Sequence, residues 1–152
     1  MTASARAFFY VQQVEQLVRR RIDECLQPEG ITAGQYMVLN LVVHHEPVSS
    51  ADLARRANMT AQSMGEFIKT LEAKGWIART GDPVNRRVIQ VSSTAEGKVV
   101  LVRSEAKVDQ AEREFFQPLS GEEVASLRFM LSRVRTAELA RRADAPSSRR
   151  AA

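Results

Sequence analysis

One interruption in an otherwise helical pattern constrains this chain more than any other feature. On either side of the stretch Trp76–Ser92 the apolar residues recur at steps of three and four; within it that period is lost. Trp76–Thr80 and Arg87–Ser92 are short strand-like runs, and Gly81, Asp82, Pro83, Val84 and Asn85 between them have the composition of a tight turn. The expected fold class is therefore mainly α with a small β-hairpin.

Capping signals divide the helical remainder. Phe8, Val11, Val14, Val18, Ile22 and Cys25 form one stripe, so residues 4–26 read as an amphipathic helix, with Phe9 and Tyr10 as a second apolar flank and Pro28, Glu29 and Gly30 as its end. Thr32 and Gln35 have the spacing of a capping box and open a helix through Tyr36, Val38, Leu39, Val42 and Val43, closed by Pro47. Ser49 and Asp52 repeat that spacing before a short helix, Asp52–Ala57. Asn58 and Met59 interrupt it, and Thr60 is a good cap for a longer helix over 61–74, with Leu53, Phe67, Ile68 and Leu71 as the shared core and Gly75 at the left-handed end. After the hairpin, Ser93 and Glu96 read as a capping box for a long helix that Pro118 ends. Ser120 and Glu123 start the last one, with Val124, Leu127, Leu131 and Val134 on one face. The tail beyond Arg142 is expected to be disordered.

A short helix, a three-residue turn and a longer helix make a helix-turn-helix, and the hairpin that follows is its wing. The major groove admits one helix, whose first turns reach base edges. Here Thr60 opens that helix and Ala61, Gln62, Ser63, Gly65, Glu66 and Lys69 occupy its start. Gln62 can pair bidentately with adenine, Ser63 can serve bases or phosphate, and Ala61 and Gly65 allow close approach. Helix-start amides favour a phosphate. Arg86 and Arg87 beside the turn suit a narrow minor groove or the backbone.

Bulk charge adds little to this. The net charge is +4, but residues 141–152 hold four arginines against one aspartate, so about +1 remains for everything else. Placement, not total charge, carries the nucleic-acid reading. Neither a membrane-spanning run nor a secretory pattern is apparent, and a cytoplasmic protein is expected. Cys25 is the only cysteine and His44 and His45 are adjacent, about 100° apart on a helix, so no disulfide or metal site is expected. With no Gly-rich phosphate loop and no nucleophile–base signature, neither catalytic residues nor a cofactor are expected.

At these residues the sequence resembles the multiple-antibiotic-resistance regulator (MarR) family. The resemblance is carried by "ADLARRANMT", "LEAKGWIAR" and above all "DPVNRRVIQVSSTAEG", an Asp-Pro wing with paired arginines running into a Thr-X-X-Gly helix start. Helix order agrees over residues 5–141. The resemblance implies a winged helix-turn-helix domain, residues 32–92, flanked by helical dimerisation segments, residues 1–31 and 93–142, with a basic tail at 143–152. It implies a homodimer on double-stranded DNA, its recognition helices in successive major grooves of a pseudo-palindrome with half-sites about 34–36 Å apart, most naturally as a repressor. By the family pattern Asp82 braces the wing through an arginine while another arginine meets the minor groove, roles that fall on Asp82, Arg86 and Arg87. Where many members have Thr-Arg, this chain has Gly65-Glu66. Glu66 repels phosphate, so it either accepts from cytosine or points elsewhere.

Members of the family often bind a small aromatic or phenolic effector. Tyr36, Asn40 and His44 share one helical stripe and suit a phenolate or carboxylate ligand. The favoured alternative is plainer: Tyr36 as core and His44 as a solvated helix end. Cys25 lies on the apolar stripe and is expected to be inert packing rather than a redox switch. A winged-helix protein-interaction module without specific DNA binding is the rival function, and Glu66 is its best support.

Overall fold

The computed structural model describes residues 6–81, 83–85 and 88–144. It divides into two units, one running to Glu112 and one from Arg113. The first contains α1 (Ala7–Leu26), a 3-10 turn (Gln27–Glu29), α2 (Ala33–His45), β1 (Val48–Ser49), α3 (Ser50–Ala57), α4 (Ala61–Ala73), β2 (Ile77–Gly81), β3 (Ile89–Ser93) and most of α5 (Ala95–Phe115). The end of α5 and α6 (Gly121–Asp144) make up the second.

Local chemistry sets most of these boundaries. Gly30 takes a left-handed φ of 68° between α1 and α2, a region glycine enters without a Cβ penalty. Thr32 and Gln35 form the expected box: the Thr32 hydroxyl accepts from the Gln35 amide at 3.2 Å, and the Gln35 side chain accepts from the Thr32 amide at 3.3 Å. Asp23 of α1 accepts from the Ala33 amide at 2.7 Å and so ties the two helices at this corner. Leu26, Val38, Leu39, Val42, Leu53, Met64, Leu71 and Val91 are fully buried in one cluster. Each such side chain stabilises the fold by roughly 1.5–3 kcal/mol.

The hairpin extends to a three-stranded antiparallel sheet of order β1-β3-β2. β2 and β3 pair from Ile77↔Ser93 to Gly81↔Ile89, and β1 adds Val48↔Val91 and Ser49↔Gln90. β1 was not expected from the sequence, because two residues are too short to show a period. Its Val48 and Val91 form a buried cross-strand pair. Ser49 ends the strand and caps α3, accepting from the Asp52 amide at 3.1 Å, so that helix starts at Ser50, two residues before the expected Asp52.

Three further expectations need correction. The start of α5 is capped by Thr94 and not by Ser93: the Thr94 hydroxyl accepts from the Gly97 amide at 3.0 Å and donates to the Gly75 carbonyl at 2.7 Å. Ser93 is instead the last residue of β3, and its amide and hydroxyl both donate to Glu46. Second, α5 ends at Phe115, before Pro118, where Phe115 and Phe116 meet edge to face at 5.1 Å. Third, α6 reaches Asp144, into the segment read as tail; residues 145–152 lie outside the described residues. The box that opens α6 is as expected, with Ser120 and Glu123 each accepting from the other's amide.

Gly97 is required by packing. A Cβ there would stand 2.0 Å from the Trp76 carbonyl oxygen, so only glycine lets α5 start this close to the hairpin. No helix among the described residues is long and apolar enough to cross a membrane.

Candidate nucleic-acid interface

The turn between α3 and α4 is built by two residues. Asn58 takes φ 53°, a left-handed position that Asn tolerates better than most residues, and its amide returns to Arg55 O at 3.1 Å. The Met59 amide returns to Ala54 O at 2.9 Å. These two bonds satisfy the end of α3 and free the chain to reverse. Thr60, extended at φ −70°, ψ 153°, then caps α4 by accepting from the Ser63 amide at 3.1 Å. Its hydroxyl donates to Ser63 Oγ at 3.0 Å. That bond consumes an acceptor position on Ser63 and leaves the Ser63 proton available to an outside acceptor.

α4 has two unlike sides. Met64, Ile68 and Leu71 are buried against α2 and α3, and Phe67 lies so near Gly34 that a Cβ on that glycine would stand 2.7 Å from the ring. Thr60, Ala61, Gln62, Ser63, Gly65, Glu66 and Lys69 are all exposed, and a Cβ on Gly65 would meet nothing within 4 Å. The structure thus brings every recognition-helix residue named from the sequence onto the open part of one helix. Asp82, Arg86 and Arg87, the wing residues, lie outside the described residues.

Polar ties hold α4 against its neighbours. Arg79 of β2 pairs with Glu72 of α4. That hydrogen bond, with the attraction behind it, lowers the Glu72 carboxyl and raises the Arg79 guanidinium from their ordinary values. Lys74 donates to the Gly30 carbonyl and to Gln35 Oε1 at 3.0 Å, and stands 4.6 Å from the centre of the Trp76 ring. Glu46 joins α2 to the far end of β3: it accepts from the Ser93 amide at 2.6 Å and pairs with Lys98 at 2.8 Å. Burial pushes its carboxyl up, but the bonds from Lys98 and Ser93 together outweigh that and hold it below its ordinary value. Sequence reasoning missed all of these ties: Glu72–Arg79 and Lys74–Trp76 span the end of α4, the others join residues far apart in the chain, and none follows a helical or capping spacing.

Tyr36, Asn40 and His44 differ in their surroundings. Tyr36 is half-buried; that burial raises its phenol, and the Glu105 and Asp109 carboxylates of α5 add to the rise. Asn40 donates to Glu105 Oε1 at 3.4 Å. His44 is exposed, and its Nδ1 is bonded to the Asn40 carbonyl at 2.8 Å. The carbonyl can only accept, so that nitrogen carries the proton. Glu105 was not foreseen, and a carboxylate beside Tyr36 and Asn40 opposes an anionic ligand. Cys25 is half-buried and donates to the Ile22 carbonyl at 3.2 Å. Burial raises its thiol, which Arg21 and Lys107 offset only in part, and a protonated thiol suits the packing role.

Comparison with known proteins follows the same lines. Residues 31–89 match the model of the MarR family. The chain is 27% identical over 126 residues to the HTH-type transcriptional repressor Rv2887 of Mycobacterium tuberculosis, covering 83% of this chain and 91% of that one. Among solved structures it resembles CouR from Rhodococcus jostii RHA1 bound to p-coumaroyl-CoA, with a TM-score of 0.78, 26% identity and coverage of 88% and 95%. It also resembles a mutant of MarR from Escherichia coli complexed with operator DNA, with a TM-score of 0.76, 25% identity and coverage of 82% and 90%.

Proposed function

From the match of residues 31–89 to the MarR family, we propose that this chain is a MarR-family regulator, a homodimeric repressor that reads a pseudo-palindromic operator in double-stranded DNA. The observation that carries this reading is α4, whose whole open side is made of short, polar or charged residues while its other side is locked into the core. Residues 32–92 form the DNA-reading domain, and residues 1–31 and 93–142 supply the dimer contacts. Gln62 and Ser63 read base edges, Thr60, Ala61 and Gly65 permit close approach, and Lys69 meets phosphate. Arg86 and Arg87 enter the minor groove or grip the backbone, with Asp82 as brace.

Apolar exposure supports the dimer. Phe8, Phe9, Tyr10, Val11, Val14 and Leu17 of α1 are exposed, as are Phe129, Met130, Leu131 and Val134 of α6. Faces of this size on single helices mark interaction surfaces. An aromatic or phenolic effector is part of the same reading, supported by the p-coumaroyl-CoA bound to CouR; beside Glu105 a neutral phenol is favoured over an anion.

The test is selection from random duplex DNA followed by titration against salt, with and without a panel of phenols and aromatic acids. A pseudo-palindrome is expected, lost in Gln62→Ala, with a log–log salt slope of about −0.9 per phosphate contact. A phenol is expected to weaken binding. Absence of enrichment together with a flat salt dependence would point instead to a protein-interaction module, which the carboxylate of Glu66 on the open side of α4 favours.

A further inference from the structure

The open side of α4 carries a negative charge at its centre. Glu66 is two residues from Met64 and two from Ile68, both buried, so at 100° per residue it stands about 160° around the axis from each. It therefore points away from the core, between Gln62 one turn before and Lys69 one turn after. Among the described residues its carboxylate has no ion-pair or hydrogen-bond partner; the one side-chain bond made to this residue goes to its backbone carbonyl, which accepts from the Thr70 hydroxyl at 2.9 Å. Lys69, though within reach at i+3, forms no ion pair with it among the described residues. Gly65 beside it presents no side chain, so nothing on that flank keeps the carboxylate from close approach.

Such a group is costly at a DNA surface unless a base supplies a donor. An ionised carboxylate is acceptor-only. Guanine offers it two acceptors, N7 and O6, and thymine an acceptor and a methyl group, so both repel it or leave it unpaired. Adenine offers the N6 amino group but sets the N7 acceptor beside it. Cytosine alone presents its N4 amino group with no neighbouring acceptor on the same base. Resting on the reading of α4 as the recognition helix, we infer that Glu66 is a specificity-determining residue that selects cytosine at one position of each half-site. It acts as much by penalising the other bases as by bonding to the right one, and a penalty of that kind is an effective source of discrimination.

The mechanism predicts two effects of opposite sign. Removing the carboxylate lowers discrimination at one base pair and raises affinity for DNA in general, because repulsion from the phosphates disappears with it. The experiment is selection from random duplex DNA with the full chain, its Glu66→Ala and its Glu66→Gln variants, followed by affinity measurements on the selected site and its single-base changes. In the unaltered chain, replacing the selected cytosine is expected to cost roughly tenfold or more. In Glu66→Ala that cost falls to within about threefold while random-sequence DNA is bound several-fold more tightly. In Glu66→Gln, preference at the same position moves toward adenine, since an amide can pair with N6 and N7 together. Matching unfolding midpoints for the three proteins exclude a folding defect. The same consensus in all three, or a Glu66-dependent preference for any base but cytosine in the unaltered chain, overturns the inference. If the unaltered chain selects no sequence at all, the DNA-reading function itself fails, which is a separate outcome.

Discussion

α1 and α4 follow the same rule in sequence and meet opposite fates in the structure. Both carry apolar residues at steps of three and four. In α4 those residues, Met64, Ile68 and Leu71, are almost wholly buried. In α1 the stripe is covered only from Val18 onward, where Val18, Ile22 and Cys25 are half-buried and Leu26 is buried, while Phe8 is 86% exposed and Val11 54%. Periodicity reveals which side of a helix is apolar, and it is silent about what will cover it. Within residues 32–92 the chain supplies its own cover. The first three turns of α1 are left with an exposed apolar face, and that is the physical case for a second copy.

Substitutions on the two stripes should break this comparison if it is wrong, and the largest effect belongs to the covered one. Leu71→Ala removes a side chain with no exposure at the junction of α4 with its neighbours. It is expected to cost about 2–5 kcal/mol in urea or thermal unfolding, at every protein concentration. A cost inside about 0.5 kcal/mol, typical of surface positions, would show that α4 is not anchored as described.

The uncovered stripe should respond differently. Val11→Asp puts a charge where the proposed partner packs but where the single chain meets solvent. The dimer dissociation constant, read by sedimentation equilibrium, is expected to rise tenfold or more, equivalent to about 1.4 kcal/mol. Helix content at low concentration should stay as it was. An unchanged dissociation constant would remove α1 from the interface.

The same contrast explains what could be read from the residues alone. Signals that act within three or four positions were legible: the Thr32–Gln35 and Ser120–Glu123 boxes, the Thr60 cap, the left-handed Gly75, and the open face of α4 from Thr60 to Lys69. Where two caps compete within one residue, spacing was a poor judge. Ser93 and Thr94 each have a plausible partner three residues on, and the choice was made by the strand, which takes Ser93 into its pairing with Ile77. β1 is recruited by β3, some forty residues away, and Glu105 reaches Asn40 from another helix. Neither leaves a trace in local order. The direction of Glu66 was open in the sequence because the helical phase was known only relative to an assumed core. It was fixed once Met64 and Ile68 proved to be buried on the same side.

The smallest expected effect concerns a polar tie, and it sharpens the comparison by asking how much of the winged segment rests on charge instead of apolar cover. Glu46 accepts from the Ser93 amide and hydroxyl and pairs with Lys98, and its carboxyl is held below the ordinary 4.5. A carboxyl that is harder to protonate when folded than when unfolded adds stability above its unfolded value, and that contribution fades as pH falls through the lower folded value. Glu46→Gln keeps the shape and removes the charge. At neutral pH the variant is expected to be less stable by on the order of 1 kcal/mol, the usual net worth of such bonds. The gap should persist down to about pH 5 and close progressively below it, as the unaltered chain takes up the proton that the amide cannot. Urea unfolding of both proteins between pH 7 and pH 3 measures it. Asp52, Glu72 and Glu123 are also lowered and shape the acid limb of both proteins equally, so only the difference reports on Glu46. A gap that stays constant across the range would mean that the contact is one of shape alone, and that β3 is held to α2 by Val91 and its apolar neighbours without help from charge.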